Sequence, residues 1–121
     1  VEVFGKEWSF ADARSADGSR PDWDNLTGIF CSKPRECPGH KYYCSVLIGD
    51  VEVSKRLAAD TLRLMQKTWT VAVYDTLSRN CCHFCNEFCM RLGAGSVPDW
   101  VLSLPGLGLS LHQAGNKICC R

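Results

Sequence analysis

The sequence predicts an α+β fold in which helices pack on a mainly antiparallel sheet. Short strand-like runs with turn residues fill the first 50 residues, and two amphipathic helices follow them. A length of 121 residues fits one domain, and 45% apolar with 22% charged residues is typical of a globular protein. The net charge of +1 gives no reason to expect nucleic acid or an anionic membrane as a partner. No apolar run reaches the ~20 residues of a transmembrane helix.

The strands are expected first along the chain. Alternating β-branched and aromatic residues in Val1–Phe10 predict two strands joined by a turn at Gly5-Lys6. Ala11–Thr27 is rich in Asp, Ser and Gly and is expected to form a surface loop. Gly28–Cys31 begins a further strand, and Lys41–Ile48 has the strongest strand composition in the chain.

The first helix is predicted to begin after Ser54 as N-cap and to continue to about Trp69. Its apolar residues recur at helical spacing and form one stripe, made of Ala58, Leu62, Met65 and Trp69. Such a stripe is typical of core packing and contains no cofactor motif. No cofactor is therefore expected.

The second helix is bounded by Asn80 as N-cap and by Gly93 just past its end. Its apolar positions follow the spacing i, i+3, i+4, i+7, i+8 and i+11, at Cys81, Phe84, Cys85, Phe88, Cys89 and Leu92. This helix is expected to be buried, and it begins with two adjacent thiols, Cys81 and Cys82.

The position of these two thiols permits two interpretations. A thiolate at a helix N-terminus is stabilised by unpaired N–H groups and by the helix dipole, which makes it a better nucleophile. The same N–H groups can receive the oxyanion that forms when a thiolate attacks a carbonyl. Alternatively, both thiols fill the first turn as small apolar side chains. Composition and spacing alone favour the second interpretation for an arbitrary buried helix.

The nine cysteines do not predict a disulfide framework. Their number is odd, and two pairs, Cys81-Cys82 and Cys119-Cys120, are adjacent, so that bridging them would strain the backbone. Reduced thiols indicate a reducing compartment, either the cytoplasm or the nucleus.

A set of motifs around the second helix resembles the PPPDE family, the thiol peptidases with a permuted papain fold that include the deSUMOylating isopeptidases. The resemblance lies in Asn80-Cys81, His83-Phe84, Leu92-Gly93 and Val97-Pro98-x-Trp100, and upstream in Gly5 to Phe10, Gly28 to Phe30, Pro34 to Gly39 and Leu47 to Gly49. Cys37, Cys85 and Cys89 resemble its plant-type branch. The similarity covers about residues 1–104, which predicts a thiol hydrolase domain followed by a tail at residues 105–121.

The resemblance implies roles for particular residues of the site. The nucleophile of the family is the Cys directly after the Asn, which is Cys81 here, although the family usually has Asn where this chain has Cys82. The catalytic His of the family belongs just upstream of Val1, so it is expected to be absent and the chain to be an inactive, N-terminally truncated fragment. Trp8, Asn80 and Trp100 are the expected substrate contacts.

The three histidines of the chain do not replace that base at the sequence level. His83 lies two residues after Cys81, so its side chain points to another side of the helix. His40 lies in a Pro-Gly turn and His112 in the tail, and both positions are typical of surface histidines.

Two alternatives to an enzyme remain open. Cys37 and His40 resemble a zinc knuckle, and Cys82 and Cys85 have ligand spacing, so the four together predict a structural zinc site in a binding module. The other alternative is an interaction domain on the same scaffold that has lost catalysis.

The function expected from the resemblance is hydrolysis of an isopeptide bond between a ubiquitin-like modifier, SUMO or ubiquitin, and a lysine. A related reaction is hydrolysis of an S-acyl thioester, and both give an acyl-enzyme that water resolves. The expected partner is the modifier or the modified protein.

Overall fold

A computed structural model describes residues 1–12 and 26–103 of the chain. Its elements are β1 (Glu2–Val3), β2 (Lys6–Phe10), β3 (Ile29–Ser32), α1 (Lys55–Gln66), a 3-10 turn (Val71–Val73) and α2 (Cys81–Arg91). Residues 99–103 are also helical. Most of the predicted loop Ala11–Thr27, with His112 and the tail at residues 105–121, lies outside the described residues.

The described strands form one antiparallel sheet in the order β1-β2-β3, which confirms the predicted α+β class. Val3 pairs with Lys6, so the hairpin loop consists of Phe4 and Gly5, with φ of 50° and 72°. Positive φ at both central positions is typical of a type I′ two-residue loop, which matches the twist of its strands. The predicted turn at Gly5-Lys6 was therefore placed one residue too late.

Lys41–Ile48, the strongest strand prediction, is not a strand in the structure. Tyr43 is 73% exposed and Leu47 is 84% exposed, and no β-ladder includes this segment. A strand is stable only when a neighbouring strand pairs with its backbone, and β-propensity does not report whether such a partner exists. The prediction of a strand here is wrong for that reason.

Helix α1 begins as predicted, because the Ser54 hydroxyl accepts a hydrogen bond from the Leu57 N–H (3.1 Å). It ends at Gln66, three residues before the predicted end at Trp69. The predicted stripe is nevertheless buried, including Trp69, whose ring packs edge-on against Phe10 with centroids 4.9 Å apart.

Helix α2 lies at the centre of the core and contacts both β2 and α1. Its side chains on the predicted stripe are buried from the second turn onward, namely Phe84, Cys85, Phe88, Cys89 and Leu92. Phe84 packs against Trp69 at 5.7 Å, Phe88 at 5.9 Å and Phe10 at 6.2 Å between ring centroids. Among the described residues no helix is long and apolar enough to cross a bilayer.

Candidate active site at the start of α2

Cys81 is the first residue of α2, and the preceding Asn80 holds the first turn in place. Asn80 Oδ1 accepts hydrogen bonds from the N–H groups of Cys82 (2.9 Å) and His83 (3.3 Å). The amide nitrogen of Asn80 donates to the Thr76 carbonyl at 2.8 Å. The oxygen and the nitrogen of this buried amide are thus both hydrogen-bonded to the backbone. These bonds orient the turn that carries Cys81.

His83 completes the cap of the same turn. The backbone N–H of Asn80 donates to His83 Nδ1 at 3.3 Å, and Nδ1 also lies 2.9 Å from Asn80 Oδ1. This is a reciprocal capping box with His at the third helical position. The imidazole therefore serves the helix cap.

The thiols of α2 differ in their environment along the helix. Cys81 and Cys82 are half-buried, whereas Cys85 and Cys89 are buried. Burial raises the pKa of Cys85 and raises that of Cys89 to about 11, because a thiolate is poorly solvated there. The first turn is therefore where a thiol of this helix remains accessible for chemistry.

The start of β1 lies beside the same helix. The Val1 nitrogen donates to the Trp8 carbonyl (2.7 Å), the Trp8 N–H donates to the Val1 carbonyl (2.8 Å), and the Val1 nitrogen is 3.9 Å from Cys85 Sγ. The antiparallel pairing of β1 with β2 thus extends one residue upstream, to the pair Val1 and Trp8. Val1 is buried against α2.

The predicted substrate contacts occupy three different environments. Trp8 is half-buried in the middle of β2, opposite Cys31. Asn80 is buried and fully occupied by the cap, while Trp100 is 45% exposed in the helical segment at residues 99–103. Only Asn80 is placed directly at Cys81, and the contact of all three with a substrate stays a prediction.

Tyr74, to which the sequence analysis gave no role, lies opposite Asn80 because Asp75 pairs with Arg79. Its ring packs on Phe10 with centroids 5.3 Å apart, and burial together with the charges of Cys81, Asp12 and Cys82 raises its pKa to about 12. The Tyr74 hydroxyl is therefore a weaker acid than an ordinary tyrosine, whose pKa is near 10. Turn residues between Tyr74 and Cys81 were the available signal, since they predict that the two ends of this segment meet.

The four residues of the alternative zinc site do not come together. Within residues 1–12 and 26–103, no three His, Cys, Asp or Glu side chains are arranged to hold a metal ion. Cys37 Sγ lies 3.8 Å from Ser9 Oγ, whereas the next residue of β2, Phe10, packs against α2. Successive side chains of a strand point to opposite faces, so the sheet separates Cys37 from the thiols of α2. The zinc prediction is wrong for this reason.

The Asn80 cap leads to a testable expectation. Asn80→Ala should lower the free energy of unfolding by about 1–2 kcal/mol, because it removes the cap and leaves buried polar groups unpaired. It should also slow alkylation of Cys81 by iodoacetamide, since an ordered first turn stabilises the thiolate. Urea unfolding and site-resolved mass spectrometry measure the two effects.

Ser54→Ala is the matched control, because it removes the N-cap of α1, away from the thiols. It should cost about 1 kcal/mol and leave the alkylation of Cys81 unchanged. Equal alkylation rates in Asn80→Ala and the parent would show that the cap does not control the thiol.

The fold and the site together define an α+β domain with a cysteine at a capped helix N-terminus. The family model described as "PPPDE putative peptidase domain" matches residues 1–118. The chain therefore belongs to the PPPDE peptidase family, which confirms the family prediction.

Curated relatives agree with this assignment. A DeSI-like protein of Arabidopsis thaliana is 28% identical over 82 residues, which cover 68% of this chain and 37% of the relative. DeSI-like protein sdu1 of Schizosaccharomyces pombe is 27% identical over 94% of this chain and 53% of its own length. A desumoylating isopeptidase 1 homolog of Caenorhabditis elegans is 24% identical over 92% of this chain and 32% of its own length.

The chain thus spans about half or less of the length of these relatives. No solved structure matches it significantly.

Proposed function

We propose that this chain is the nucleophile-bearing part of a cysteine isopeptidase that removes a ubiquitin-like modifier from lysine side chains. Membership of a peptidase family supports hydrolysis of an amide bond. One relative is named as a desumoylating isopeptidase homolog, which supports a SUMO-like modifier as the substrate class. Cys81 is the nucleophile in this proposal, because it begins α2 and follows the capping Asn80.

The chemistry has two halves. The Cys81 thiolate attacks the carbonyl carbon of the isopeptide bond, and the carbonyl oxygen becomes an oxyanion near the N–H groups of the first turn of α2. Expulsion of the lysine amine requires a proton, and water then hydrolyses the acyl-enzyme. A general acid–base group has to serve both halves, and His is the usual choice.

The pairing of Val1 with Trp8 supports a position for that base. A strand that continues upstream from the Val1 nitrogen in the observed register runs along β2 towards Phe10. Phe10 contacts both Phe84, three residues after Cys81 in α2, and Tyr74. A histidine two or three residues before Val1 would thus be carried towards Cys81, so the base is proposed to come from there.

The free thiols favour a reducing compartment for this activity, and we place it in the cytoplasm or the nucleus. The proposed partner is the modifier, SUMO or ubiquitin, attached to a protein.

Three proteins test the proposal: the 121-residue chain, the chain with a short upstream extension that includes His at that position, and the same extension with Gln. Cleavage of SUMO and ubiquitin carrying a C-terminal aminomethylcoumarin is measured for each. We expect turnover only with His, about 10²–10⁴-fold above the Gln protein, because general acid–base catalysis contributes that much. Cys81 of all three should still react with iodoacetamide.

Each other outcome has a defined meaning. Equal turnover by the chain alone would place the base within it, at His40 or His112. Cleavage of an S-acyl cysteine probe without cleavage of either modifier would replace the isopeptidase by a thioesterase. No hydrolysis by any of the three would favour an interaction domain without catalysis.

A further inference from the structure

A closed loop places Tyr74 directly across from the residue before the proposed nucleophile. The N–H of Asp75 donates to the Arg79 carbonyl and the N–H of Arg79 donates to the Asp75 carbonyl, both at 3.0 Å. Two residues that exchange both hydrogen bonds form an antiparallel pair, so the residues flanking them, Tyr74 and Asn80, face one another. Cys81 follows directly after Asn80.

The loop is held closed by its own side chains. Asp75 Oδ1 accepts hydrogen bonds from the N–H of Leu77 (3.0 Å), the N–H of Ser78 (2.7 Å) and the Ser78 hydroxyl (2.8 Å). Arg79 anchors the far side, because its guanidinium donates to the Thr68 carbonyl at 2.9 Å. Tyr74 is therefore placed opposite the start of α2 by a hydrogen-bonded loop.

The aromatic ring of Tyr74 is also fixed. It packs on Phe10, which contacts Phe84, three residues after Cys81, so the ring lies beside the first turn of α2. Burial and the charges of Cys81, Asp12 and Cys82 raise the pKa of the Tyr74 hydroxyl, which fits a position of this side chain near the start of α2. With its pKa at about 12, the hydroxyl keeps its proton at neutral pH and remains a hydrogen-bond donor.

The polar side chains of Asn80 and His83 both take part in the helix cap. Asn80 uses its oxygen for two backbone N–H groups and its nitrogen for the Thr76 carbonyl. His83 Nδ1 is occupied by Asn80. Tyr74, which lies opposite Asn80, supplies a further side-chain donor beside this turn.

We propose that the Tyr74 hydroxyl is the side-chain donor that stabilises the oxyanion formed when Cys81 attacks a carbonyl. This proposal rests on the proposed function, since it assumes that Cys81 is the nucleophile. A sulfur electron pair forms the S–C bond while the π pair of the carbonyl moves onto oxygen. Tyr74 donates a hydrogen bond to that oxygen and keeps its proton. The pair returns to re-form the carbonyl when the leaving group departs.

Two reagents separate this role from an effect on the thiol itself. p-Nitrophenyl acetate acetylates Cys81 through an oxyanion, and its leaving group departs as nitrophenolate without protonation. Iodoacetamide alkylates the same sulfur by displacement of iodide, and no oxyanion forms. The ratio of the two rates at Cys81 therefore reports stabilisation of the oxyanion, and the thiolate fraction cancels. Fragment-ion mass spectrometry assigns each modification to Cys81.

Tyr74→Phe keeps the ring against Phe10 and removes only the hydroxyl. We expect acetylation of Cys81 to fall by about tenfold or more, since removal of one oxyanion donor costs about 10²–10³-fold in a proficient enzyme. Alkylation should change less than about twofold. Tyr43→Phe, at a tyrosine that is 73% exposed, should leave both rates unchanged.

The outcomes distinguish this inference from the proposed function. If acetylation and alkylation fall together in Tyr74→Phe, or neither falls, the oxyanion role is wrong while Cys81 can still be the nucleophile. If the parent chain is not acetylated at Cys81 above the rate of an exposed thiol such as Cys31, both the nucleophile assignment and the role of Tyr74 fail.

Discussion

Phe84→Ala should lower the free energy of unfolding by about 3–5 kcal/mol, the usual cost of deleting a buried phenylalanine ring. Phe84 is completely buried in α2 and contacts the rings of Phe10, Trp69 and Phe88. Removing it leaves a cavity where β2, α1 and α2 meet. Because domains of this size are stabilised by about 5–15 kcal/mol, much of the protein should unfold in moderate urea.

Leu64→Ala is the matched control for Phe84→Ala. Leu64 lies on α1 but is 59% exposed, so its truncation should change stability by about 0.5 kcal/mol or less. Equal urea midpoints for Phe84→Ala and Leu64→Ala would show that Phe84 does not connect the sheet and the helices as described.

Cys81→Ala should abolish hydrolysis in the form of the protein that carries the upstream histidine. Loss of a nucleophile removes the covalent route altogether, and in comparable hydrolases it costs about 10⁴–10⁶-fold in kcat. The backbone of the helix start is unchanged, because Asn80 caps the turn through the N–H groups of Cys82 and His83. Cleavage of the coumarin substrate, with circular dichroism to verify folding, measures this effect.

Cys82→Ala separates position from residue type in the same experiment. Cys82 is also a half-buried thiol of the first turn, and the resemblance gives this position no catalytic role. Activity should stay within about threefold of the parent if Cys81 alone forms the acyl-enzyme. Equal loss in both variants would contradict the assignment of the nucleophile.

Helix α2 was determined almost entirely by the local sequence. Asn80 caps its start, and at its end the N–H groups of Gly93 and Ala94 donate to the carbonyls of Met90 and Cys89. Gly93 has φ of 77°, which is the left-handed conformation that this ending requires. Caps and a 3.6-residue apolar period are properties of neighbouring residues, so they can be predicted without the rest of the fold.

The sheet was predictable only in part. The hairpin of β1 and β2 joins neighbouring residues, and its prediction was wrong by a single residue at the turn. The composition of Lys41–Ile48 favours a strand as strongly as any segment, but strand formation depends on a pairing partner that is distant in sequence. The described sheet provides none for this segment.

The sequence by itself determined the family, the α+β class and the position of Cys81 at a capped helix start. Only the tertiary structure decided that Tyr74 lies opposite Asn80, the residue before Cys81, and that Cys37 is separated from the thiols of α2. The motif residues are identified one by one along the chain, and their local geometry follows from hydrogen bonds between close neighbours. The distance between Tyr74 and the thiols instead depends on loop closure at Asp75 and Arg79 and on packing against Phe10. Such contacts join residues far apart in the chain, because they depend on which faces of the sheet and helices become buried together.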